Sequence, residues 1–340
     1  ACVCSQICSA EATFTPSAPL RIPVLLTAFS RYDTAEKVMA SIRAARPPKL
    51  YFACDGPRTP EEKLRTDKVR SLLEMVDWPC EVHTRFAEEN QGLKKAMIGN
   101  MDWFFEHEPE GIVLEDDTAP VLSFFWFCQE LLERYRDDER IWWILGNNLM
   151  ADPNAKPETS YYFSQHGYGA PWGWAGWRRS WKLYDGDMTA WPKVRDTPEW
   201  NSFFLSKAER KEAHTLFEAT WDGSIRTWDF QHDFARILHK GITIIPEHNL
   251  VRNIGFEGTG TNTVQGFDPR NVDNACETSF PLVHPTEIVV DELRDLAYFN
   301  TFIRPPLFRR VKSTVKSLLP KPVDEAITPF LSKLQKRLGG

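Results

Sequence analysis

The sequence predicts an α/β protein, with a mostly parallel, Rossmann-like sheet covered by helices on both faces. Three observations lead there. Through residues 21–150, short apolar runs alternate with segments of helical periodicity. The runs are nearly continuous in aliphatic and aromatic residues, as strands buried on both faces are. Several end on polar residues (27–31, Asp55, and Glu115, Asp116 and Asp117). Those positions fall beyond the carboxyl ends of strands, where such sheets bind ligands.

The elements follow in order. Residues 22–29 (IPVLLTAF) read as a buried strand, followed by a helix over 34–45. Residues 49–55 (KLYFACD) are the next strand. Thr59 is an N-cap with Pro60 at the first helical position and Glu62 three residues on, a capping box. Leu64, Val69, Leu72, Leu73 and Val76 are expected to form that helix's buried stripe. Residues 80–86 form a third strand, a helix runs over 93–105, and GIVLED (111–116) is the fourth strand. A helix after Pro120 leads to the strand 141–146. Residues 151–222 are rich in Trp, Tyr, Gly and Pro and show weak periodicity. A helix over 228–239 then carries Phe230, Phe234, Ile237 and Leu238 on its apolar face and ends at Lys240-Gly241. The strand 242–246 and a Gly/Thr-rich loop over 253–263 complete this half. No internal repeat is present. The expected organisation is a tail (1–20), one domain (21–300, with a nucleotide-binding half 21–150 and an acceptor half 151–300), and a basic helical tail (301–340).

Composition bounds the function. With 42% hydrophobic and 26% charged residues the chain is of soluble globular type. No run approaches the roughly 18 apolar residues of a spanning helix, and the first residues lack the pattern of a secretory signal. Cys54, Cys80, Cys128 and Cys276 sit in apolar stretches, as reduced thiols do. Cys2, Cys4 and Cys8 cluster near the start, with no His or second Cys pair to complete a metal site. A reducing, cytoplasmic setting is expected. Charge is uneven: residues 301–340 carry +7, so the rest carries −13. An acidic body with a basic tail implies two kinds of partner and argues against nucleic acid.

Three adjacent acids at the end of a buried strand are costly unless something positive meets them. A solvated acidic turn is one answer. The other is a divalent cation, since Mg²⁺ and Mn²⁺ take hard oxygen ligands, often one or two carboxylates plus substrate phosphates. The alternation points to a nucleotide. There is no GxGxxG after the first strand and no GxxxxGK[ST], which disfavours a dinucleotide site and a P-loop. A nucleotidyltransferase would carry a Gly-rich, basic loop after its first strand, where this chain has TAFSRYD. A sugar-nucleotide site with a metal between carboxylate and diphosphate remains.

At this point the sequence resembles the GT-A-fold glycosyltransferases, of the N-acetylglucosaminyltransferase I type and its bacterial relatives. The resemblance spans residues 21–265 and is carried by PVLLTAFSR, YFACDG, GIVLEDD followed by Pro and an aromatic helix, and TWDFQHDF…IIPEHNLVRNIGF. EDD is similar to that family's metal-binding DxD motif. The resemblance implies roles. Arg31 contacts the diphosphate and Asp55 the uracil or ribose. Glu115 and Asp116 hold ribose and donor sugar, and Asp117 ligates Mn²⁺ or Mg²⁺. Thr27 could bond the base, and Lys94 or Lys95 could reach the nucleotide. A cation there would assist the departing diphosphate as a Lewis acid.

An inverting transferase also needs a carboxylate to take the acceptor's proton. The family has two adjacent acids after a Trp, the second being the base, whereas here Phe230 follows Asp229. Asp229 and Asp233, four residues apart, are expected on one helix face away from Phe230 and Phe234. Asp229 is in the first turn, where the helix dipole favours a carboxylate. His232 is a weaker candidate.

Indoles pack well on sugar rings, and GYGAPWGWAGWRRSW (167–181) offers Trp172 and Trp174 for that role, though most of its rings belong in a core. The loop 255–263 suits a cover over the donor that excludes water. In the tail, Leu307, Phe308, Val311, Val315 and Leu318, then Phe330, Leu331, Leu334 and Leu338, form two amphipathic helices flanked by Lys and Arg. Such helices can lie on an anionic membrane's inner face, or pack on the body or a second subunit. The expected activity is metal-dependent, inverting transfer of a sugar from a nucleotide-diphosphate donor, a UDP-sugar by resemblance, to a hydroxyl of a glycan or lipid-linked acceptor. The alternative is a GT-A-like domain that has lost catalysis and holds a glycan. A metal phosphohydrolase would show more His near the acids.

Overall fold

The computed structural model describes residues 14–152, 154–165, 171–257 and 274–304. The cysteines of the N-terminal tail, most of the Gly/Thr loop and both tail helices lie outside the described residues. The strands are β1 (Val24–Ala28), β2 (Lys49–Cys54), β3 (Glu81–Phe86), β4 (Glu110–Glu115), β5 (Thr118–Pro120), β6 (Ile141–Leu145), β7 (Tyr161–Ser164), β8 (Trp174–Trp177), β9 (Ile242–Pro246) and β10 (Val251–Asn253). The helices are α1 (Tyr32–Ala45), α2 (Pro60–Arg70), α3 (Leu93–His107), α4 (Ser123–Arg134), α5 (Arg178–Trp181), α6 (Trp191–Val194), α7 (Pro198–Ser202), α8 (Lys207–Trp221), α9 (Asp229–Leu238) and α10 (Glu292–Tyr298).

Eight strands form one sheet in the order β3-β2-β1-β4-β8-β6-β9-β7. The ladders β1–β2, β1–β4, β2–β3 and β6–β9 are parallel, while β8 runs antiparallel between β4 and β6, and β7 antiparallel along β9. The chain winds outward from β1 through β2 to β3, then returns to place β4 on β1's other side. That reversal is a topological switch point, where a crevice opens beyond the strand ends.

Alternate strand residues feed two cores, so helices cover both faces. Val24 and Leu26 pack with Phe52, Leu114 and the α1 residues Val38, Met39 and Ile42. Leu25 points the other way, with Ala53, Val113 and the α3 residues Met97, Met101 and Phe104. A third, smaller core in the second half gathers Trp191, Trp200, Phe217 and Phe234.

Two expectations need correction. Leu64 is 74% exposed, not part of the α2 stripe. The helix stops at Arg70 and tightens into a 3₁₀ turn over Ser71–Met75, so Leu64 and Leu72 do not share one helical phase; Glu62, Thr66 and Val69 are the buried positions. The stretch 151–222, read as weakly periodic with no helix assigned, contains a 15-residue helix, α8, capped by Ser206 accepting from the Glu209 N–H at 3.1 Å. The capping at Thr59 is as expected, with the Glu62 N–H 3.2 Å from its hydroxyl, although the Glu62 carboxylate takes the Arg58 N–H instead of closing the box. Lys240 adopts the left-handed conformation (φ 57°), and a side chain at Gly241 would begin 2.5 Å from the Trp142 ring.

Candidate active site

The switch point between β1 and β4 opens into a cavity of about 620 Å³. Thr27, Arg31, Asp55, Glu115 and Asp116 all line it. Thr27 closes β1 with its hydroxyl donating to the Leu114 carbonyl of β4 at 3.3 Å. Arg31, just before α1, reaches across the switch point. Its guanidinium is hydrogen-bonded to the Asp116 carboxylate and donates to Asp117 Oδ2 at 2.9 Å. The Phe29 N–H donates to the other Asp116 oxygen at 3.1 Å. Glu115 and Asp116 therefore face the mouth of the sheet, while Asp117 lies outside the cavity lining and meets it through Arg31.

Their electrostatics are strained. Burial, with the charges of Asp117, Asp116 and Asp229, holds Glu115 well above the usual carboxylate range. Burial pushes Asp116 up to about 6, although Arg31 pulls it down. Burial works against the Arg31 charge, yet Asp116 and Asp117 outweigh it and raise the guanidinium's value. Arg31 thus serves three neighbouring acids, paired with Asp116 and Asp117 and lowering the value of Glu115.

Arg31 was expected to contact a diphosphate; with no ligand present it neutralises Asp116 and Asp117 instead. Asp55 is 8% exposed, and its carboxylate accepts from the Gly56 N–H at 2.8 Å, the Gln91 N–H at 2.9 Å and the Asn90 amide at 2.9 Å. It lines the cavity but chiefly fixes the wall 87–92. Gly56 is needed there because a Cβ would lie 2.3 Å from the Glu89 backbone. Neither Lys94 nor Lys95 lines this cavity; the Lys94 ammonium donates instead to the Gly186 carbonyl at 2.7 Å in the second half. Sequence reasoning missed Arg58, Arg65 and Lys68, which bring positive charge to the cavity wall, and the buried Asn100. The signal was available, since Arg65 and Lys68 are three residues apart on one helix and share a face.

Asp117 sits where two segments meet. β5 pairs antiparallel with β10, and the Ile254 N–H donates to the Asp117 carbonyl at 2.8 Å. A side chain on Gly255 would start 2.4 Å from Asp117 Oδ2. The Gly/Thr loop thus leaves directly over the last acid; its residues 258–263 lie outside the described residues.

The two base candidates separate. Asp229 opens α9, partly exposed, with its carboxylate fixed by the Thr227 hydroxyl and by the Phe230 N–H at 3.0 Å; burial raises its value. Its negative charge adds to the rise at Glu115, although Asp229 itself is not part of the cavity lining. Asp233 corrects the expectation of a shared open face. It is 5% exposed and bound at 3.1 Å to Arg236, itself fully buried. Burial pushes it to about 7 against the pull of Arg236. Residues 231–237 of α9 are buried throughout, so four-residue spacing selects no open face. His232 fills the core against Trp143, ring centroids 4.2 Å apart, and burial lowers it to about 3. Trp174 is likewise core: 2% exposed in β8, between Trp143 and Trp228, with no face for a sugar. Trp172 remains partly exposed at the edge of the main core.

The donor set is hard oxygen with excess negative charge, which suits Mn²⁺ or Mg²⁺ bound by one or two carboxylates. Among the described residues no group of three or more His, Cys, Asp or Glu is arranged to hold a metal ion, so one or two carboxylates are all this site can offer. Such a cation would fit with phosphate and water completing its shell.

No protein-family model matches the chain, and no curated protein does. Solved structures share parts of the fold at low similarity. HddC from Yersinia pseudotuberculosis is 10% identical, with 48% of this chain and 80% of that one covered and a TM-score of 0.30. The 4-diphosphocytidyl-2C-methyl-D-erythritol synthase of Anaerococcus prevotii is 6% identical over 58% and 84%, TM-score 0.32. The inositol-1-phosphate CTP transferase of T. maritima is 12% identical over 49% and 74%, TM-score 0.29. None of these three carries the name of a glycosyltransferase, and scores this low bear on neither substrate nor reaction. Among the described residues no helix is long and apolar enough to cross a membrane.

Proposed function

We propose that the chain is a metal-dependent, inverting glycosyltransferase that moves a sugar from a nucleotide-diphosphate donor to a hydroxyl acceptor. One observation carries it: the switch-point cavity gathers Thr27, Arg31, Asp55, Glu115 and Asp116, with Asp117 bound to Arg31 and the charge of Asp229 acting on Glu115. Nucleoside and diphosphate lie between β1, β2 and β4, with Asp55 and Thr27 toward the base and ribose. Asp116 and Asp117 hold Arg31 in place, and Arg58, Arg65 and Lys68 add positive charge along the wall. Asp117, the more open of the two acids bound to Arg31, would hold Mn²⁺ or Mg²⁺. When bound, that cation supplies Lewis-acid neutralisation to the leaving diphosphate.

Asp229 takes the proton of the acceptor hydroxyl as its oxygen attacks the anomeric carbon. The bond from that carbon to the diphosphate oxygen breaks, and its electron pair leaves with the nucleotide. A base whose value is raised by burial holds a proton better than an exposed aspartate, which suits this task.

A thermal-shift panel of nucleotide sugars with and without Mn²⁺ tests this reading. A true donor at 100 times its dissociation constant adds about 2.7 kcal/mol of stability. If no nucleotide sugar shifts the transition in Mn²⁺, the reading fails. Donor binding with no turnover on any hydroxyl acceptor would leave the binding-domain alternative.

A further inference from the structure

A second cleft, of about 510 Å³, lies beside the donor cavity. Gly92 and Leu93 belong to the walls of both, so only that ridge divides them. The far wall includes Arg226, three residues before Asp229 on the loop that leads into α9. Donor cavity and second cleft therefore adjoin along that ridge, and Asp229 follows the cleft's Arg226 by three residues in the chain.

The cleft's charge is unusual for an acidic body. Lys94, Lys95 and Arg226 line it. Arg85 approaches from β3, its Nη2 3.0 Å from where a Gly99 side chain would begin. Lys94 is held by the Gly186 carbonyl at 2.7 Å. Among the described residues no carboxylate lies within ion-pairing distance of Lys95, Arg226 or Arg85. The one acid in the lining, Asp102, already accepts from the Trp181 indole at 2.8 Å. Unpaired cations lining one hollow are attracted to an anionic ligand and disfavour a neutral one of the same size.

We infer that this cleft binds the acceptor, and that the acceptor carries an oxyanion, a phosphate or a carboxylate, beside the hydroxyl to be glycosylated. The inference rests on the transferase reading above. It adds what that reading leaves open: the chemical class of the acceptor. Lys95 and Arg226 grip the anion while the hydroxyl lies toward Asp229.

The test uses the full chain and three probes: a hexose phosphate, a hexuronate and the neutral hexose. Calorimetry at low and high salt measures each, and UDP with Mn²⁺ is titrated in parallel. At least one anionic sugar should bind, more weakly at high salt, with the neutral hexose at least about tenfold weaker. Lys95→Glu and Arg226→Glu, both at exposed positions, should each weaken the anionic sugar by about tenfold or more and leave UDP binding unchanged. Which of phosphate and carboxylate binds tighter decides the source of the oxyanion. Equal affinity for the neutral sugar, no binding of either anionic sugar, or indifference to charge reversal would overturn the inference. Loss of UDP binding in the unmodified chain would instead sink the transferase reading.

Discussion

Replacing Arg31 with Met isolates the electrostatics of the site. The substitution keeps most of the side chain's bulk and removes the cation that bridges Asp116 and Asp117. Two unit charges about 3 Å apart attract by roughly 5 kcal/mol at an effective dielectric of about 20, before desolvation. Removing one partner from a buried pair costs about 3–5 kcal/mol, because the remaining charge is left uncompensated. The Arg31 side chain is 23% exposed, Asp116 5% and Asp117 14%, so water screens part of this. The expected loss at pH 8 is about 2–4 kcal/mol of unfolding free energy. Its pH dependence has a definite sign. Asp116 titrates near 6 in the folded chain, above its ordinary 3.8. Its contribution is therefore fully present below about 3.8 and is lost as pH rises through about 6. Without Arg31 the folded value climbs further, so the charge is shed more readily on acidification. At pH 5 the deficit should shrink to about half. Urea denaturation of both proteins at pH 5 and pH 8 measures it. An equal deficit at both pH values would refute the claim that Arg31 acts by neutralising these acids.

Three further outcomes follow from the same geometry. Asp229→Asn should lower turnover by about 10²–10⁴-fold, as loss of a general base does, while nucleotide-sugar binding by calorimetry stays within a factor of two or so; unchanged turnover would remove Asp229 from the mechanism. Gly255→Ala puts a methyl 2.4 Å from Asp117 Oδ2 and should abolish the Mn²⁺-dependent part of the donor's thermal shift while sparing the Mn²⁺-independent part; a full shift would separate this loop from the metal. His232 is held neutral down to about 3, below its ordinary 6.5, so folding loses stability as pH falls from 6.5 toward 3. His232→Phe should recover about 2–3 kcal/mol at pH 4 relative to pH 7, read from urea midpoints, and an unchanged acid limb would contradict the burial of that ring.

The nucleotide half was legible because its signals are local. A strand buried on both faces must be apolar through its middle, and β1, β2, β4 and β6 are, with polar residues only at or next to their ends. A parallel sheet then fixes which strand ends share a side, and Arg31, Asp55 and Asp116 fall together without any knowledge of contacts. β3 is the exception that follows the same rule: it is the sheet edge, largely exposed, and polar in sequence. What could not be read was the partner each polar group would choose. Arg31 was expected at the diphosphate because the family resemblance puts it there. The acids it binds lie more than eighty residues away, and only the β1–β4 pairing brings them within reach.

The acceptor half hid for a different physical reason. Its helices are short and pack around indoles rather than against a broad sheet, so no long stripe repeats. Ser206 and Glu209 did announce α8, yet the helix buries only Glu209, Ala213, Phe217 and Thr220, too sparse a row to stand out by hydropathy. Its partner α9 errs in the opposite direction. Nearly every residue from Gln231 to Ile237 is buried, including Asp233 and Arg236, which neutralise each other inside. A helix enclosed on all sides has no polar face to mark the site. Its first residue, Asp229, is half-buried, and its charge acts on Glu115. Position at a helix end, not position on a helix face, therefore distinguishes Asp229 from Asp233, and caps rather than periodicity are the feature to read where a proposed base rides on a buried helix.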